Sequence, residues 1–296
     1  MDIGESIAVE IATDIAEQCP FKTADPPSVT EEPENIAKDD LPSVAGVQRN
    51  SGGTLGKNLT NASNGAAGTV NDLFPAAAPS AQPARDTKRD NGGRVKVAGD
   101  TADYPFTVAA HHLIPGEASL ARSRLYQKYM TKGGTIKTRS GKSFTVKEHI
   151  GYNVNGAHNG MWLPGNYAIR RSTSPRKGVS WGKLPPEFDN WCFEYMRACC
   201  AKLSRQFHDS HPTYSTKVLG VLNRMHREFL LHQDVCKECE GKTEVAPPYM
   251  VKAKLYNLST YLAGRLRAVP TEKWKVPWYT SERFHIEMIK AGMLER

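Results

Sequence analysis

The chain contains no long hydrophobic run and few cysteines. Six cysteines are dispersed over 296 residues, too few for a disulfide framework in a chain of this length, which favours synthesis in a reducing compartment. A membrane-spanning helix needs about 18 apolar residues in succession, and no stretch of the sequence approaches that length. The first twenty residues lack the basic start of a secretory signal peptide, so we expect none.

Acidic residues are scarce in the second part of the chain. Residues 1–103 carry 9 Lys/Arg and 16 Asp/Glu, whereas residues 104–296 carry 30 and 15. Such a positive excess predicts a polyanionic partner, most often nucleic acid. A solvated basic surface without a specific partner is the alternative that charge alone leaves open.

Sustained hydrophobic periodicity is missing from residues 21–103, which are rich in Pro, Gly, Ser, Asn, Asp and Ala. Such a segment cannot bury enough apolar surface to offset its chain entropy, so we predict a flexible linker. Residues 1–20 differ, because isoleucine recurs there every four residues among acidic ones and predicts a short amphipathic helix. This helix either docks on another protein or packs back on the body of the chain.

Order is predicted to begin near Tyr104 and to continue through residues 104–296 as one domain. Short strands are expected at the apolar runs before His111 and at Met161–Leu163, and a hairpin is expected in residues 133–146. Apolar stripes at helical spacing predict helices over residues 185–207, 213–232 and 251–266. This mixture predicts an α+β fold.

Four histidines form two close pairs. His111 and His112 end an apolar run in VAAHHLIPG, where neighbouring side chains of a strand point to opposite faces, one to the core and one to a cleft. In QFHDSHPTYS, His208 and His211 are three residues apart, a spacing that places both imidazoles on one face of a helix. Together the pairs predict a metal site with one imidazole to spare, and a spare imidazole suits the general base of phosphodiester hydrolysis.

Between the pairs lies GYNVNGAHNGMWLPGNYA, whose Asn and Gly residues indicate a rigid loop that enters a strand. Taken with AHHLIPGEASL and FHDSHPTYS, it resembles the AHH group of the HNH/endonuclease VII nucleases, which is named for an Ala-His-His motif. The resemblance covers about residues 104–214. It implies a ββα-metal core, in which a β-hairpin and a helix hold one divalent ion. Here we expect that core to be elaborated by several long helices and preceded by a largely disordered N-terminal arm.

The resemblance also implies roles for single residues. His112 is similar to the general base that takes a proton from water, and His111 is similar to a metal ligand. Asn159 is similar to the asparagine that holds the hairpin and orients the base, whereas His208 and His211 are similar to the ligands on the helix side. The implied cofactor is one divalent ion, which is Mg²⁺, Zn²⁺, Ni²⁺ or Mn²⁺. In compact members the last ligands follow the asparagine closely, so a helical insertion is expected to return His208 and His211 to the site.

Many members of this group resemble toxin domains of bacterial polymorphic toxins and type VI secretion effectors. The resemblance therefore implies a largely sequence-non-specific DNA endonuclease that acts as an antibacterial toxin, with a cognate immunity protein. Such a protein is made in the bacterial cytoplasm, is bound at its N-terminal region by a secretion component or an adaptor chaperone, and reaches the target-cell cytoplasm without a signal peptide. An RNase on the same scaffold and a non-catalytic, zinc-stabilised DNA-binding or adaptor protein are the alternatives.

Two further features leave alternatives open. Cys236 and Cys239 form a lone C-x-x-C, which needs two more ligands for zinc; Cys199 and Cys200 either supply them or pack as buried thiols. Basic residues follow both motifs and either hold phosphates without reading sequence or form a solvated face. They are Arg122, Arg124 and Lys128 after the histidine pair, and Arg170, Arg171, Arg176, Lys177 and Lys183 after the Asn-rich loop.

Overall fold

The computed structural model describes residues 51–63, 92–138, 140–231, 241–267 and 278–294. These residues combine small sheets with several helices, which confirms the predicted α+β class. No helix in this part of the chain is long and apolar enough to cross a membrane. In chain order the elements are α1 (Gly52–Ser63), β1 (Gly93–Lys96), β2 (Asp103–His112), β3 (Thr135–Lys137), β4 (Ser143–Val146), β5 (Gly160–Gly165), α2 (Asp189–Leu203), α3 (Pro212–Leu231), β6 (Glu244–Val245), α4 (Tyr249–Leu266) and α5 (Glu282–Lys290).

The described residues divide into two compact units. We call the first the hairpin unit; it comprises residues 51–63, 92–113, 160–214, 261–267 and 278–294. The second is called the insert unit and comprises residues 114–138, 140–159, 215–231 and 241–260. Residues 104–296, which were predicted to form one domain, contribute to both units.

A three-stranded antiparallel sheet in the order β1-β2-β5 forms the centre of the hairpin unit. The register pairs Thr107 with Gly165 at one end of the β2–β5 ladder and His112 with Gly160 at the other. Every residue of β5 is buried, and β2 is buried along almost its whole length, which explains why β2 reads as a continuous apolar run rather than an alternating one. Pro164 lies in β5 at the edge of this sheet, a position where a residue without an N–H is tolerated.

Helix α1 lies within the segment that was predicted to be a flexible linker, and β1 lies near its end. That prediction is wrong for both stretches. Leu55 and Leu59 are fully buried, and α1 packs on β2 and β5. The contact is close because Gly160 has no side chain: a Cβ there would lie 2.6 Å from Cδ1 of Leu55. Two leucines in a Gly- and Asn-rich stretch gave too weak a periodic signal to indicate this packing. Residues 1–50 and 64–91, with the predicted acidic helix, lie outside the described residues.

The insert unit contains the second sheet, in the order β3-β4-β6. Strands β3 and β4 pair as the predicted antiparallel hairpin, and β6 adds parallel to β4. The three predicted long helices are also confirmed as α2, α3 and α4, with ends that differ by a few residues. Helix α2, for example, is preceded by a 3₁₀ turn at Pro186–Phe188 and ends before Ser204, whose φ is 54°.

Candidate metal centre

Three of the predicted histidines converge in the hairpin unit. The ring centroids of His111 and His208 are 5.1 Å apart, those of His111 and His211 are 5.0 Å apart, and those of His208 and His211 are 5.2 Å apart. Their ligand nitrogens all lie within 4.8 Å of one another. Residues nearly one hundred positions apart in the chain therefore form one cluster, as the two histidine pairs predicted.

The way in which His208 and His211 reach the cluster differs from the prediction. They do not share one face of a helix, because both lie in the loop between α2 and α3. His208 instead forms a parallel bridge with Gly165 at the edge of β5, and its N–H donates to the Pro164 carbonyl at 2.7 Å. His211 immediately precedes α3. The bridge to β5 therefore brings His208 to the cluster, whereas the sequence had predicted that helical spacing would do so.

The cluster has the donors that a divalent transition-metal ion requires. Nε2 of His111 and Nδ1 of His208 are buried without a hydrogen-bond partner among the described residues, although buried polar atoms are nearly always paired. Burial, reinforced by the neighbouring imidazoles, holds the pKa of His111 well below its usual value and lowers the pKa of His208 to about 3. Burial also lowers the pKa of His211. The three imidazoles are therefore neutral at pH 7 and present lone pairs, which is the state that binds metal.

His112 lies beside this cluster and is not one of its three members. It is buried, and its backbone pairs in register with Gly160 at the end of β2. Its charge is among the causes that lower the pKa of His111 and of His208. The adjacent pair is thus divided between one imidazole inside the cluster and one next to it. The expectation that one of the two would face an open cleft is not met in this structure, because both are buried.

Asn159 is fully buried in the insert unit, and its amide is saturated with hydrogen bonds. Its Nδ2 donates to the carbonyls of Ile114 and Val154 at 2.9 and 2.8 Å, and its Oδ1 accepts from the Ile114 N–H at 2.8 Å and from the Ser259 hydroxyl at 3.2 Å. Ile114 follows His112 by two residues. Asn159 therefore binds both the N–H and the carbonyl of Ile114, and in this way it fixes the backbone that follows the histidine pair.

The comparison with protein families decides the identity of this region. Residues 93–238 match the AHH family, described as a nuclease family of the HNH/ENDO VII superfamily with conserved AHH. Over these residues the chain belongs to the AHH nuclease family. The match confirms the resemblance seen in the sequence, and the AHH domain is accordingly a nuclease. No curated protein and no solved structure gave a significant match.

Two other histidines of the AHH domain, His158 and His226, have different surroundings. His158 is buried in the insert unit, hydrogen-bonded to the backbone of Asn153 and packed against Tyr152 and Tyr256, with ring centroids 5.1 and 4.5 Å away. His226 packs against Tyr129 in the same unit. Neither belongs to the three-histidine cluster.

The cysteine hypothesis is tested only in part. Cys199 and Cys200 are buried free thiols in α2, and burial raises the pKa of both. Cys236 and Cys239 lie outside the described residues, so the zinc alternative for the C-x-x-C remains a prediction. Together with Cys192, the third buried thiol of α2, Cys199 and Cys200 pack as small apolar side chains.

Only one of the two basic groups lies in the same unit as the histidines. Its five members are exposed in the loop between β5 and α2: Arg170, Arg171, Arg176, Lys177 and Lys183. Thr173 fixes this loop, since its hydroxyl donates to the Ala168 carbonyl at 2.6 Å and accepts from the Arg170 N–H at 2.9 Å. The other group, Arg122, Arg124 and Lys128, lies in the insert unit.

Sequence reasoning missed two tyrosines and an aspartate near the cluster. Tyr214 is buried with its ring 5.2 Å from that of His111, and its hydroxyl donates to the Leu113 carbonyl at 2.6 Å. Tyr167 is 46% exposed, and its ring centroid lies 6.3 Å from that of His208. Asp209 accepts a hydrogen bond from the Trp181 indole at 3.2 Å. Of the three, only Asp209 carried a usable signal, because it lies inside the H-x-x-H segment.

Proposed function

We propose that the AHH domain is a metal-dependent endonuclease that cleaves DNA with little sequence preference. One observation carries the proposal: three neutral imidazoles, one buried and two half-buried, have their ligand nitrogens within 4.8 Å of one another, directly beside the second histidine of the family motif. Two ring nitrogens of the cluster are also buried without a hydrogen-bond partner among the described residues, which leaves them available to an ion.

His111, His208 and His211 would hold the ion. When bound, it would supply positive charge to the scissile phosphate and stabilise the departing oxygen. Three imidazoles suit Zn²⁺, Ni²⁺ and related ions, whereas Mg²⁺ prefers oxygen ligands. The donor set therefore favours a transition metal over Mg²⁺. Three protein ligands also leave a further position open, as in catalytic rather than structural zinc sites.

His112 is proposed as the general base. Its imidazole accepts a proton from the water that attacks phosphorus, while the bond between phosphorus and the leaving oxygen breaks. A base must be held in place to act, and two features support this for His112: the register with Gly160 in β5 and the bonds of Asn159 to Ile114. Asn159 acts through the backbone and is a positioning residue.

The exposed loop between β5 and α2 is proposed to hold the substrate backbone. Arg170, Arg171 and Lys177 have no ion-pair partner among the described residues, whereas Arg176 pairs with Glu187 at 3.3 Å. Free guanidinium and ammonium groups bind phosphates without reading sequence. Tyr167, exposed beside His208, adds an aromatic surface on which a base can stack.

We extend the proposal to the biological role by the family resemblance. The protein would be an antibacterial toxin, made in the bacterial cytoplasm and delivered to the cytoplasm of a target cell. A strongly basic body favours an acidic immunity protein that covers it. A secretion component or adaptor chaperone would bind the N-terminal region.

The decisive experiment is a nuclease assay on the full chain after chelator treatment. We expect plasmid cleavage to be lost and then restored by Zn²⁺, Ni²⁺ or Mn²⁺. His112→Ala should lower the rate about a hundredfold or more while the bound metal is retained, because losing a general base typically costs that much. Cleavage at the parent rate by His112→Ala, or by the chelated protein, would contradict the mechanism. Digestion of total RNA in parallel tests the DNA assignment, since cleavage of RNA alone would replace DNA as the substrate.

A further inference from the structure

A segment outside the family match holds the loop that carries His208 and His211. The loop lies within residues 93–238, whereas residues 278–283 lie beyond them. The Thr280 hydroxyl donates to the Phe207 carbonyl at 2.7 Å, the Asp209 N–H donates to the Thr280 carbonyl at 2.9 Å, and the Glu282 N–H donates to the Ser210 carbonyl at 2.9 Å. All of these residues belong to the hairpin unit. The backbone on either side of His208 is therefore tied to the later segment.

Gln206 makes the same connection with its side chain. Its Nε2 donates to the Trp278 carbonyl at 2.8 Å, and its Oε1 accepts from the Thr280 N–H at 3.3 Å. Gln206 is almost completely buried, so these bonds are protected from competition with water. The segment and the loop thus form one hydrogen-bonded structure over residues 206–210.

Glu282 reaches the other end of the loop, next to His211. Its Oε1 accepts from the hydroxyl of Thr213 at 2.6 Å and from the Thr213 N–H at 3.3 Å. Two features fix Glu282 itself: Ser281 caps the start of α5 by accepting from the Phe284 N–H, and Arg283 pairs with Asp189 at 2.7 Å.

We propose that Glu282 is a positioning residue for the metal centre. Through Thr213 it fixes the backbone that follows His211, and its negative charge favours the binding of a cation by the neighbouring histidines. The inference rests on the proposed function, because it requires that the three histidines hold a divalent ion. Carboxylates and other groups that orient metal ligands from outside the ligand set typically change metal affinity by about 10- to 100-fold.

The test is metal binding by the full-length apo protein. Glu282→Gln keeps the size of the side chain and removes its charge, and we expect about tenfold weaker Zn²⁺ binding in a competition titration with a chromophoric chelator. The absorption spectrum of the Co²⁺ form should also change, because it reports on the arrangement of the ligands. Glu287→Gln is the matched control: Glu287 lies on the same helix and pairs with Lys290, so its loss removes the same charge without touching the loop.

The outcomes separate this inference from the proposed function. If the parent protein binds Zn²⁺ and Glu282→Gln binds it equally tightly with the same Co²⁺ spectrum, the contribution of the Glu282 charge is refuted and the metal centre stands. If the parent protein binds neither ion, the metal centre itself is refuted. Because a glutamine amide oxygen can still accept from Thr213, Thr213→Val is the variant that removes the hydroxyl bond itself. We expect weaker Zn²⁺ binding from that variant too, and unchanged binding would equally refute the inference.

Discussion

At the scale of single residues, the candidate metal centre contains ring nitrogens that are costly to bury unless something binds them. Nε2 of His111 and Nδ1 of His208 make no hydrogen bond within the described residues, and an unpaired buried polar group destabilises a fold by about 1–3 kcal/mol. In the metal-free protein these imidazoles are a source of instability. A bound ion would turn the same groups into a source of stability.

The lowered histidine pKa values predict how the metal-free protein responds to acid. An unfolded histidine titrates near 6.5, whereas burial lowers the pKa of His208 to about 3 in the fold. The unfolded chain therefore binds more protons below pH 6.5, and stability falls as the pH drops from 6.5 towards 3, by roughly 1 kcal/mol per pH unit for each such histidine. Urea unfolding of the apo protein at pH 7.5, 6 and 5 measures this.

His208→Gln supplies the control for that titration. The variant lacks the ionisable group and should show a shallower loss of stability between pH 7.5 and 5 than the parent protein. Parallel slopes for the two proteins would mean that His208 does not contribute to the acid sensitivity.

The residues of the site were only partly accessible to sequence reasoning. His111, His208 and His211 were recognised because histidine pairs are rare and belong to a known motif, and their convergence follows the prediction. Their route to convergence was not accessible, since the bridge between His208 and Gly165 is a tertiary contact with no local signal. No sequence pattern indicated a role for Glu282, because neither its distance along the chain nor its neighbouring residues connect it to His211.

At the scale of elements, α1 is the clearest departure from expectation. It lies before the family match, yet it covers strands β2 and β5, which carry His111 and the bridge to His208. Besides the contact at Gly160, Gly56 of α1 allows a close approach to Trp162, since a Cβ there would lie 3.3 Å from the indole ring. The hairpin unit therefore depends on a helix from outside the recognised nuclease region.

Truncation of one leucine tests the contribution of α1. Leu55→Ala removes a fully buried side chain that contacts Gly160, and we expect the free energy of unfolding to fall by about 2–5 kcal/mol. Lys57→Ala, at an exposed position of the same helix, should change it by less than about 0.5 kcal/mol. Equal, small effects of both variants in urea unfolding would show that α1 adds nothing to the fold.

The elements that were predicted correctly share a strong local pattern. Helices α2, α3 and α4 have apolar residues at helical spacing, and β3 and β4 alternate around a turn. Helix α1 has only two leucines to bury, and the strands β1 and β6 are four and two residues long. Such elements are held by partners distant in the chain, so no window of sequence contains the information that fixes them.

At the scale of the whole molecule, the charge is unevenly distributed. Residues 104–296 carry twice as many basic as acidic residues, and a positive surface attracts nucleic acid over distances of about a Debye length. Non-specific binding of this kind weakens steeply as salt rises, because each phosphate contact releases counterions.

The salt dependence of DNA binding can be tested with two matched arginines in the loop between β5 and α2. Arg170→Gln removes an exposed charge without an ion-pair partner among the described residues, so DNA affinity should fall several-fold and the salt dependence of binding should become less steep by about one phosphate contact. Arg176→Gln is the comparison, since Arg176 already pairs with Glu187. Fluorescence anisotropy with a labelled duplex at several salt concentrations measures both. An Arg170→Gln protein with unaltered salt dependence would exclude the loop from substrate contact.

The hydrogen bonds between residues 278–283 and the loop that carries His208 and His211 can form only after most of the chain has been synthesised. A ribosome must translate 67 residues beyond His211 before Trp278 is joined to the chain. Until then the nascent polypeptide contains every histidine of the cluster but lacks residues 278–282, which bond to Gln206, Asp209 and Ser210. The loop that carries His208 and His211 can therefore complete its hydrogen bonds to residues 278–282 only late in translation.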